Sequence, residues 1–167
     1  MIAAFNDLVL RRGFVRVTVR DIIAQADVGR STFYEHFENK ADVLEQSLAP
    51  IFSPLADVLG GGRDADAAVR RVAEHVWSSK KLAISVLSGA TRPVVTRFLA
   101  RLLEARMERG GIAPEAQRPL VAAALAAMQI GLLEAWVAGT APASADAVAR
   151  LAARMTRAAA AAVQPTE

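Results

Sequence analysis

Residues 18–46 read TVRDIIAQADVGRSTFYEHFENKADVLEQ, and this stretch decides the fold. Thr18 is a favourable N-cap residue, and Asp21 follows at the spacing of a capping box, so a helix is predicted to begin directly after Thr18. The Asp-Val-Gly sequence at 27–29 then interrupts the helical pattern, because Asp and Gly tolerate the backbone angles of a tight turn. The stretch therefore begins with a short helix that ends in a turn.

A second short helix is predicted over 30–37, with Phe33 and Phe37 one turn apart and facing inward. Asn39 can then cap a third helix. Two helices joined by a tight turn form a helix-turn-helix, whose polar second helix can bond base edges and phosphates of DNA. The same pattern also fits a helical hairpin whose polar face is merely solvated. That polar face consists of Arg30, Ser31, Thr32, Tyr34 and His36.

The stretch contains a specific motif: TVRDI at 18–22, A-x-V at 26–28, and STFY-x-HF-x-x-K at 31–40. The motif resembles the N-terminal domain of TetR-type transcriptional repressors, and the resemblance extends over about residues 2–48. Two positions differ from the family pattern, since Asp27 stands where Gly is common and the residue two places later is Gly where a capping Ser is common.

The resemblance implies an all-α fold in two parts. A three-helix helix-turn-helix domain is expected over 1–47, and a helical ligand-binding and dimerisation domain over 48–167. We expect Arg20 and Arg30 to read bases in the major groove, and Lys40 to reach a phosphate from the start of a helix. The full set of expected DNA contacts is Thr18, Val19, Arg20, Arg30, Ser31, Thr32, Tyr34, His36 and Lys40.

The distribution of charge does not by itself identify the partner. The formal net charge is +3, but residues 1–50 hold six Arg and Lys against seven Asp and Glu, so the surplus lies in the rest of the chain. This balance leaves open a second interpretation, a helical interaction protein that kept the fold but does not bind DNA. TetR-like proteins usually carry a basic arm before the first helix. Either that arm lies outside this sequence or this member lacks it.

Several classes of protein are disfavoured by what the sequence contains. There is no cysteine and only two histidines, so disulfides are excluded and neither a metal site nor a cofactor is expected. No G-x-S-x-G motif is present, and the glycines at 60–62 lack the Lys-Ser/Thr of a phosphate-binding loop, so an enzyme is not expected. From the sequence, we expect that no apolar run reaches the length needed to span a membrane and that the protein is cytoplasmic.

A long helix is predicted over 40–59, connecting the two parts of the chain. Pro50 and Pro54 lie inside it, and an interior proline removes a backbone hydrogen bond at a cost of roughly 3 kcal/mol. We therefore expect a kink or a break near residues 49–53. Beyond this helix, Asp64 or Asp66 is expected to cap the next one.

The last two predicted helices, 114–138 and 144–163, are rich in Ala and apolar residues. The first of them is apolar around much of its circumference, so it must be buried on two sides. Since one side can face the core of the same chain, the other is expected to face a second copy. The resemblance implies the same, because TetR-like repressors dimerise through their last two helices. The expected interface consists of Leu125, Leu132, Leu133, Trp136, Leu151, Met155 and Ala159.

A pocket for a small apolar effector is predicted in the C-terminal part, because large or adaptable side chains recur on its helices. The resemblance implies that such an effector releases the protein from operator DNA. Ordinary core packing explains the same apolar residues equally well. The candidates are His75, Trp77, Phe98, Met107, Met128, Gln129 and Trp136.

Overall fold

The computed structural model describes residues 1–164, which form nine α-helices joined by short turns and contain no β-strand. The predicted all-α fold is therefore confirmed. The helices are α1 (Ile2–Arg12), α2 (Val19–Ala26), α3 (Arg30–His36), α4 (Lys40–Asp57), α5 (Arg63–Ser78), α6 (Lys80–Leu87), α7 (Arg92–Gly110), α8 (Arg118–Ala138) and α9 (Ala145–Ala162).

The ends of the first helices follow from local sequence signals. Gly13 ends α1 with φ of 73°, a backbone angle that glycine adopts without strain. Both bonds of the predicted capping box begin α2: the Asp21 amide donates to Thr18 Oγ1 at 3.2 Å, and the Thr18 amide donates to Asp21 Oδ2 at 2.9 Å. Asn39 caps α4 in the same way. For α2 and α4, these short-range signals place the helix starts where the sequence predicted them.

Helix α4 runs through both prolines, so a break near 49–53 is excluded, and the kink that we also considered stays a prediction. Pro50 and Pro54 are one turn apart and both line an open groove between α4 and α5. The carbonyls that lose their helical partners therefore lie on a side that water can reach, where the lost bonds cost less. The connection between the two parts of the chain is one uninterrupted helix.

The C-terminal helices form a bundle around α8. Helix α8 packs against α6, α7 and α9, while α5 packs against α9 and α4 packs against α7. Gln129 of α8 is buried, and its Nε2 donates to the carbonyl of Leu55 in α4 at 3.2 Å and to Thr156 Oγ1 in α9 at 2.8 Å. A single continuous apolar core joins these helices to α1–α3. The helix-turn-helix thus shares its core with the rest of the molecule.

The start of α5 differs from our prediction. Its N-cap is Gly62, which offers no side-chain cap, and Asp64 and Asp66 lie within the first turn of the helix. Both carboxylates still stabilise the helix, because a negative charge in the first turn interacts favourably with the helix dipole. Asp66 also pairs with Arg157 of α9 at 2.7 Å.

The arginines along α7 lie at or near the surface, and three of them form ion pairs within the chain. Arg92 pairs with Glu134 at 3.0 Å, Arg101 pairs with Glu45, and Arg106 pairs with Asp57. The first of these pairs connects α7 to α8, and the other two connect α7 to α4. Three of the five arginines of α7 are therefore held by acidic side chains of the same chain.

One segment, Glu115–Ala138, is long and apolar enough to cross a membrane by composition, contrary to our estimate from the sequence. Within the fold it contains the central bundle helix α8, whose buried face contacts three other helices. Its remaining apolar face lies on the surface of the chain, beside α9.

Candidate DNA-binding and regulatory sites

The helix-turn-helix is built on a small, fully packed core. Phe33 and Phe37 are buried as predicted, with ring centroids 5.5 Å apart, and Ile22 of α2 is fully buried beside them. Phe5 and Phe14 pack edge to face at 6.2 Å beneath α2. Because this core fixes both helices, the polar side chains of α3 are held on a rigid support.

The turn between α2 and α3 depends on Asp27, which adopts the left-handed conformation with φ of 51° and ψ of 51°. Its amide donates to the carbonyl of Ala24 and the amide of Val28 donates to that of Ile23. This bond pattern is a Schellman motif, which most often has glycine at the left-handed position. The Asp that departs from the family pattern therefore carries backbone strain.

Asp27→Gly is expected to raise the free energy of unfolding by about 0.5–1 kcal/mol, because glycine removes the left-handed penalty. Asp27→Ala should lower the free energy of unfolding instead. Ala lacks the backbone freedom of Gly in the left-handed conformation, and it lacks the polar side chain of Asp. Urea-induced unfolding of the three proteins measures both changes. A Gly variant less stable than the wild type would contradict this account of the turn.

Arg20 lies in the first turn of α2, Arg30 lies in the first turn of α3, and both side chains are exposed. Neither makes a hydrogen bond or an ion pair with any other residue of 1–164. Tyr34 is 50% exposed, and the guanidinium of Arg30 lies 6.0 Å from its ring centroid. The remaining predicted contacts are also at the surface: Thr18, Ser31 and His36 are exposed, and Val19 and Thr32 are half-buried.

The acidic side chains of this region are largely engaged by the fold. Asp7 pairs with Arg11 at 2.9 Å, and Glu45 pairs with Arg101 of α7. Asp42 accepts the backbone amides of Glu38 and Asn39 at 2.8 and 3.1 Å. Four of the seven acidic side chains of residues 1–50 thus act as helix caps or ion-pair partners, whereas Asp27, Glu35 and Glu38 form no such contact within residues 1–164. Arg20 and Arg30 are the cations of this region that form neither a hydrogen bond nor an ion pair with the described residues.

The capping carboxylate of α2 is also engaged. The pKa of Asp21 is lowered from its ordinary value, chiefly by the hydrogen bond from the Thr18 hydroxyl. The Thr18 amide and the nearby Arg12 guanidinium lower the pKa further. Because the pKa is lower in the folded state, the cap stabilises the protein above the unfolded pKa. This contribution is lost as the pH falls below about 4. At neutral pH the carboxylate is ionised and fixed.

Lys40 is placed differently from our expectation. Its Nζ donates to the carbonyls of Phe14, Val15 and Val17 at 3.0, 3.2 and 2.8 Å, and lies 4.6 Å from the Phe14 ring centroid. An ammonium has three N–H groups, so all of them are used within the protein. The geometry does not support the predicted phosphate contact. Lys40 instead fastens the turn that leads into Thr18 and α2.

Lys40→Ala is expected to lower the free energy of unfolding by about 2 kcal/mol, because it removes charge-assisted hydrogen bonds to three carbonyls. Thermal and urea unfolding measure this loss, and Lys81→Ala at an exposed lysine serves as the control. The salt dependence of DNA binding should stay unchanged. If the slope of log affinity against log salt concentration fell by about one unit per subunit, the result would instead support the phosphate contact.

The predicted dimer residues divide into two groups. Leu125, Leu133 and Trp136 are buried inside the protomer, so they cannot lie at an interface with a second copy. Trp136 stacks on Trp77 at 4.9 Å and its Nε1 donates to the carbonyl of Ala143 at 2.9 Å. These three side chains are buried because α8 turns them towards its neighbours in the bundle.

The other group stays accessible on the outer side of α8 and α9. Leu151 and Met155 are 45% and 40% exposed and lie one turn apart on α9, while Leu132 and Ala159 are half-buried. We call this surface the α8–α9 face. It is apolar and extends along both helices. Its other members are Leu120, Ala123, Ala124, Ala127, Met128 and Ala158.

The structure does not bring the seven predicted effector residues together. Met107 is fully buried in the core, Gln129 is held by α4 and α9, and Phe98 stacks on Phe52 at 5.9 Å. Trp77 is 47% exposed and stacks on Trp136 at the surface of α5. Met128 belongs to the α8–α9 face. Of the seven, His75 alone lines the partly enclosed cavity between α1, α4, α5 and α6.

That cavity has a volume of about 110 Å³ and lies where α1, α4, α5 and α6 meet. Its walls are mostly apolar, and Asn6, Ser47, His75 and Ser79 supply its polar groups. Ser47, Ile51 and His75 also line the open groove between α4 and α5, so the cavity adjoins solvent there. The apolar walls are formed by Leu48, Ile51, Phe52, Val76, Leu82, Ala83, Val86, Leu87 and Leu133.

Sequence reasoning missed Asn6 and Ser47, and no local signal identifies them. Both are polar residues on amphipathic helices, where a solvated position is the ordinary expectation. Only the packing of α1 against α4 brings them to one cavity. Ser47 Oγ donates to Asn6 Oδ1 at 3.2 Å, a contact between residues 41 positions apart.

Comparison with known proteins agrees with this geometry. Residues 2–46 match the family described as bacterial regulatory proteins, tetR family. A TetR-family regulator from Streptomyces coelicolor A3 is 26% identical and superposes with a TM-score of 0.63, over 96% of this chain and 92% of that chain. No curated protein sequence matches this chain significantly.

Two other solved structures share the fold at lower identity. The TetR family repressor AlkX from Dietzia sp. is 17% identical with a TM-score of 0.57, over 98% of this chain and 97% of that chain. A putative TetR-family regulator from Syntrophomonas wolfei is 18% identical with a TM-score of 0.55, over 99% and 95%. Fold and site together define a helix-turn-helix regulator of transcription that binds DNA. Residues 2–46 are therefore similar to the TetR family of bacterial regulatory proteins, and the whole chain has a fold similar to that of a TetR-family regulator.

Proposed function

We propose that the protein is a cytoplasmic, homodimeric repressor that leaves its operator when a small molecule occupies the C-terminal part. In this proposal residues 1–47 bind DNA, residues 48–167 dimerise and sense the effector, and the chain has no enzymatic activity. The observation that carries the proposal is the pair of exposed, unpaired arginines, Arg20 and Arg30, held on a rigid helix-turn-helix.

DNA recognition in this proposal depends on where these arginines are held. Arg30 begins the recognition helix α3, and Arg20 lies in the first turn of α2, so the major groove is within reach of both. Arg pairs bidentately with the O6 and N7 of guanine, a contact that distinguishes it from the other bases. Thr32 is assigned to a base edge or methyl group, and Tyr34 and His36 to phosphates. Thr18, Val19 and Ser31 complete the surface.

Dimerisation is supported by the α8–α9 face. An apolar surface that extends along two helices is uncommon on a monomer and marks a contact site. Alanine is abundant on this face, and its small side chain lets two helix pairs approach closely. A second copy related by two-fold symmetry would present the same face, as in an isologous interface. Two helix-turn-helix units are then available for two half-sites of an operator.

Effector binding is supported by the cavity at the junction of α1, α4, α5 and α6. It combines apolar walls with a few polar groups, which is the usual composition of a ligand site. Its position next to α4 matters, because α4 leads directly from the helix-turn-helix into the bundle. A ligand in this cavity would contact the helix that sets the spacing of two DNA-binding units.

The test is an electrophoretic mobility shift with the full chain and the DNA upstream of its own coding sequence. We expect a shift at nanomolar protein that survives an excess of random-sequence competitor. The double variant Arg20→Ala, Arg30→Ala is the matched control, since both side chains are exposed and outside the core. Equal affinity of the wild type for both DNAs would refute the proposal of an autoregulated operator at that location.

A further inference from the structure

The polar end of the cavity connects the two parts of the molecule. Ser47 of α4 donates its hydroxyl to Asn6 of α1 at 3.2 Å, and both residues line the cavity. Among residues 1–164 this is the one side-chain hydrogen bond between α1 and α4. Helix α1 packs directly against α2 of the helix-turn-helix. The cavity therefore touches a bond that positions the DNA-binding helices.

Two further polar groups of the cavity have no partner within the protein. Neither the His75 ring nor the Ser79 hydroxyl makes a hydrogen bond to another residue of 1–164. Ser79 lies at the junction between α5 and α6, and His75 stands at the border of the α4–α5 groove. Both groups are therefore available to a ligand that enters from the groove.

The size of the cavity limits what it can hold. An engineered apolar cavity of about 150 Å³ in another protein binds benzene, whereas pockets for drug-sized ligands measure roughly 300–1,000 Å³. A volume of about 110 Å³ therefore suits at most a single ring or a few carbon atoms. None of the lining residues is Lys, Arg, Asp or Glu. Apart from the His75 ring, a charged ligand would find no ionisable partner among them, and an unpaired buried charge is unfavourable.

We propose that the effector is a neutral molecule of about one aromatic ring with a single hydrogen-bonding group, and that this group displaces Asn6 from Ser47. The inference rests on the proposed ligand-released repressor and specifies its ligand and its trigger. The ring lies against Phe52 and the aliphatic walls, and its hydroxyl bonds Ser47. Helix α1 then loses its tie to α4, which changes the placement of the helix-turn-helix.

Phenol is the probe for the ligand class, with benzoate as its charged analogue and octan-1-ol as a longer neutral alcohol. Isothermal titration of the full chain should detect phenol binding, with both analogues at least tenfold weaker. Ala83→Leu, at a wall of the cavity, should weaken phenol binding at least tenfold while helical circular dichroism is retained. If that variant does not fold, Val86→Ile provides a smaller filling of the same wall.

Binding of benzoate or octan-1-ol as tight as that of phenol would overturn the ligand class. So would undiminished phenol binding by the folded, filled variant. These titrations need no DNA, so they test the proposed ligand class even if the protein does not bind the upstream DNA. Failure of the wild type to bind that DNA would instead count against the proposed repressor.

The trigger is tested with Asn6→Ala, which removes the bond that the ligand is proposed to break. Phenol should lower the operator affinity of the wild type by about fivefold or more, within the usual range of allosteric coupling. For Asn6→Ala, phenol should still bind, but the ratio of operator affinities with and without phenol should approach one. An undiminished ratio in this variant would overturn the trigger.

Discussion

Met155→Glu is expected to convert the proposed dimer into folded monomers. Met155 is 40% exposed in the protomer, so a glutamate there faces water when the chain is alone. In a symmetric dimer the substitution places two carboxylates in one apolar interface, since each copy contributes the same face. Burying unpaired charge costs several kcal/mol, so the dimer dissociation constant should rise about a thousandfold or more. Sedimentation velocity over a range of concentrations measures it.

Ile84→Glu is the matched control for this substitution. Ile84 on α6 has the same exposed fraction, 40%, but lies away from the α8–α9 face. The control should remain dimeric, and Met155→Glu should also lose high-affinity operator binding. A wild type that sediments as a monomer at micromolar concentration would remove the basis of the proposed interface. So would a Met155→Glu protein with an unaltered dissociation constant.

Arg30→Ala is expected to lower operator affinity by roughly 2–6 kcal/mol, because each dimer loses two base contacts of about 1–3 kcal/mol. Arg20→Ala should have an effect of the same kind at different base positions. Since both side chains are exposed and unpaired, neither change should lower the thermal stability of the protein. Affinities for the operator and for random DNA, measured over a range of salt concentrations, separate base contacts from phosphate contacts.

Tyr34→Phe is the contrast for these two variants. Its hydroxyl is assigned to a phosphate, so its loss should weaken binding to both DNAs alike. The arginine variants should instead relax the preference for the operator over random DNA. Identical losses on both DNAs for Arg20→Ala and Arg30→Ala would exclude base readout by either arginine.

The helix-turn-helix could be predicted almost to the residue because its boundaries depend on neighbours in the sequence. Thr18 and Asn39 cap the helices that directly follow them, and Gly13 ends the helix that directly precedes it. The signals span three or four residues, and no distant contact is needed to interpret them.

The sequence pattern does not predict contacts between residues that are distant in the chain, as Lys40 illustrates. The pattern gives a positive charge at the start of a helix, and an anion is the usual partner at such a place. The carbonyls that Lys40 binds belong to residues 23 to 26 positions earlier. Their positions depend on how α4 packs beneath the turn after α1.

The same limit explains the mixed prediction for α8. Periodicity indicates that Leu125 and Leu132 both face something apolar, but it does not distinguish the chain's own core from a second copy. Leu125 faces α8's neighbours in the bundle, whereas Leu132 lies beside the outer face. The cavity was missed for a related reason, because α1 is distant in sequence from α4, α5 and α6, which it meets there.

The uninterrupted helix α4 has a consequence for the construction of chimeric regulators. The predicted domain boundary at 47/48 falls in the middle of α4, which extends from Lys40 to Asp57. A fusion made there would join two half-helices whose turns pack against different partners. The DNA-binding module would also lack Leu55, the residue of α4 whose carbonyl accepts the hydrogen bond from Gln129. A transplanted module should therefore extend to Asp57 and bring the bundle surface that receives it.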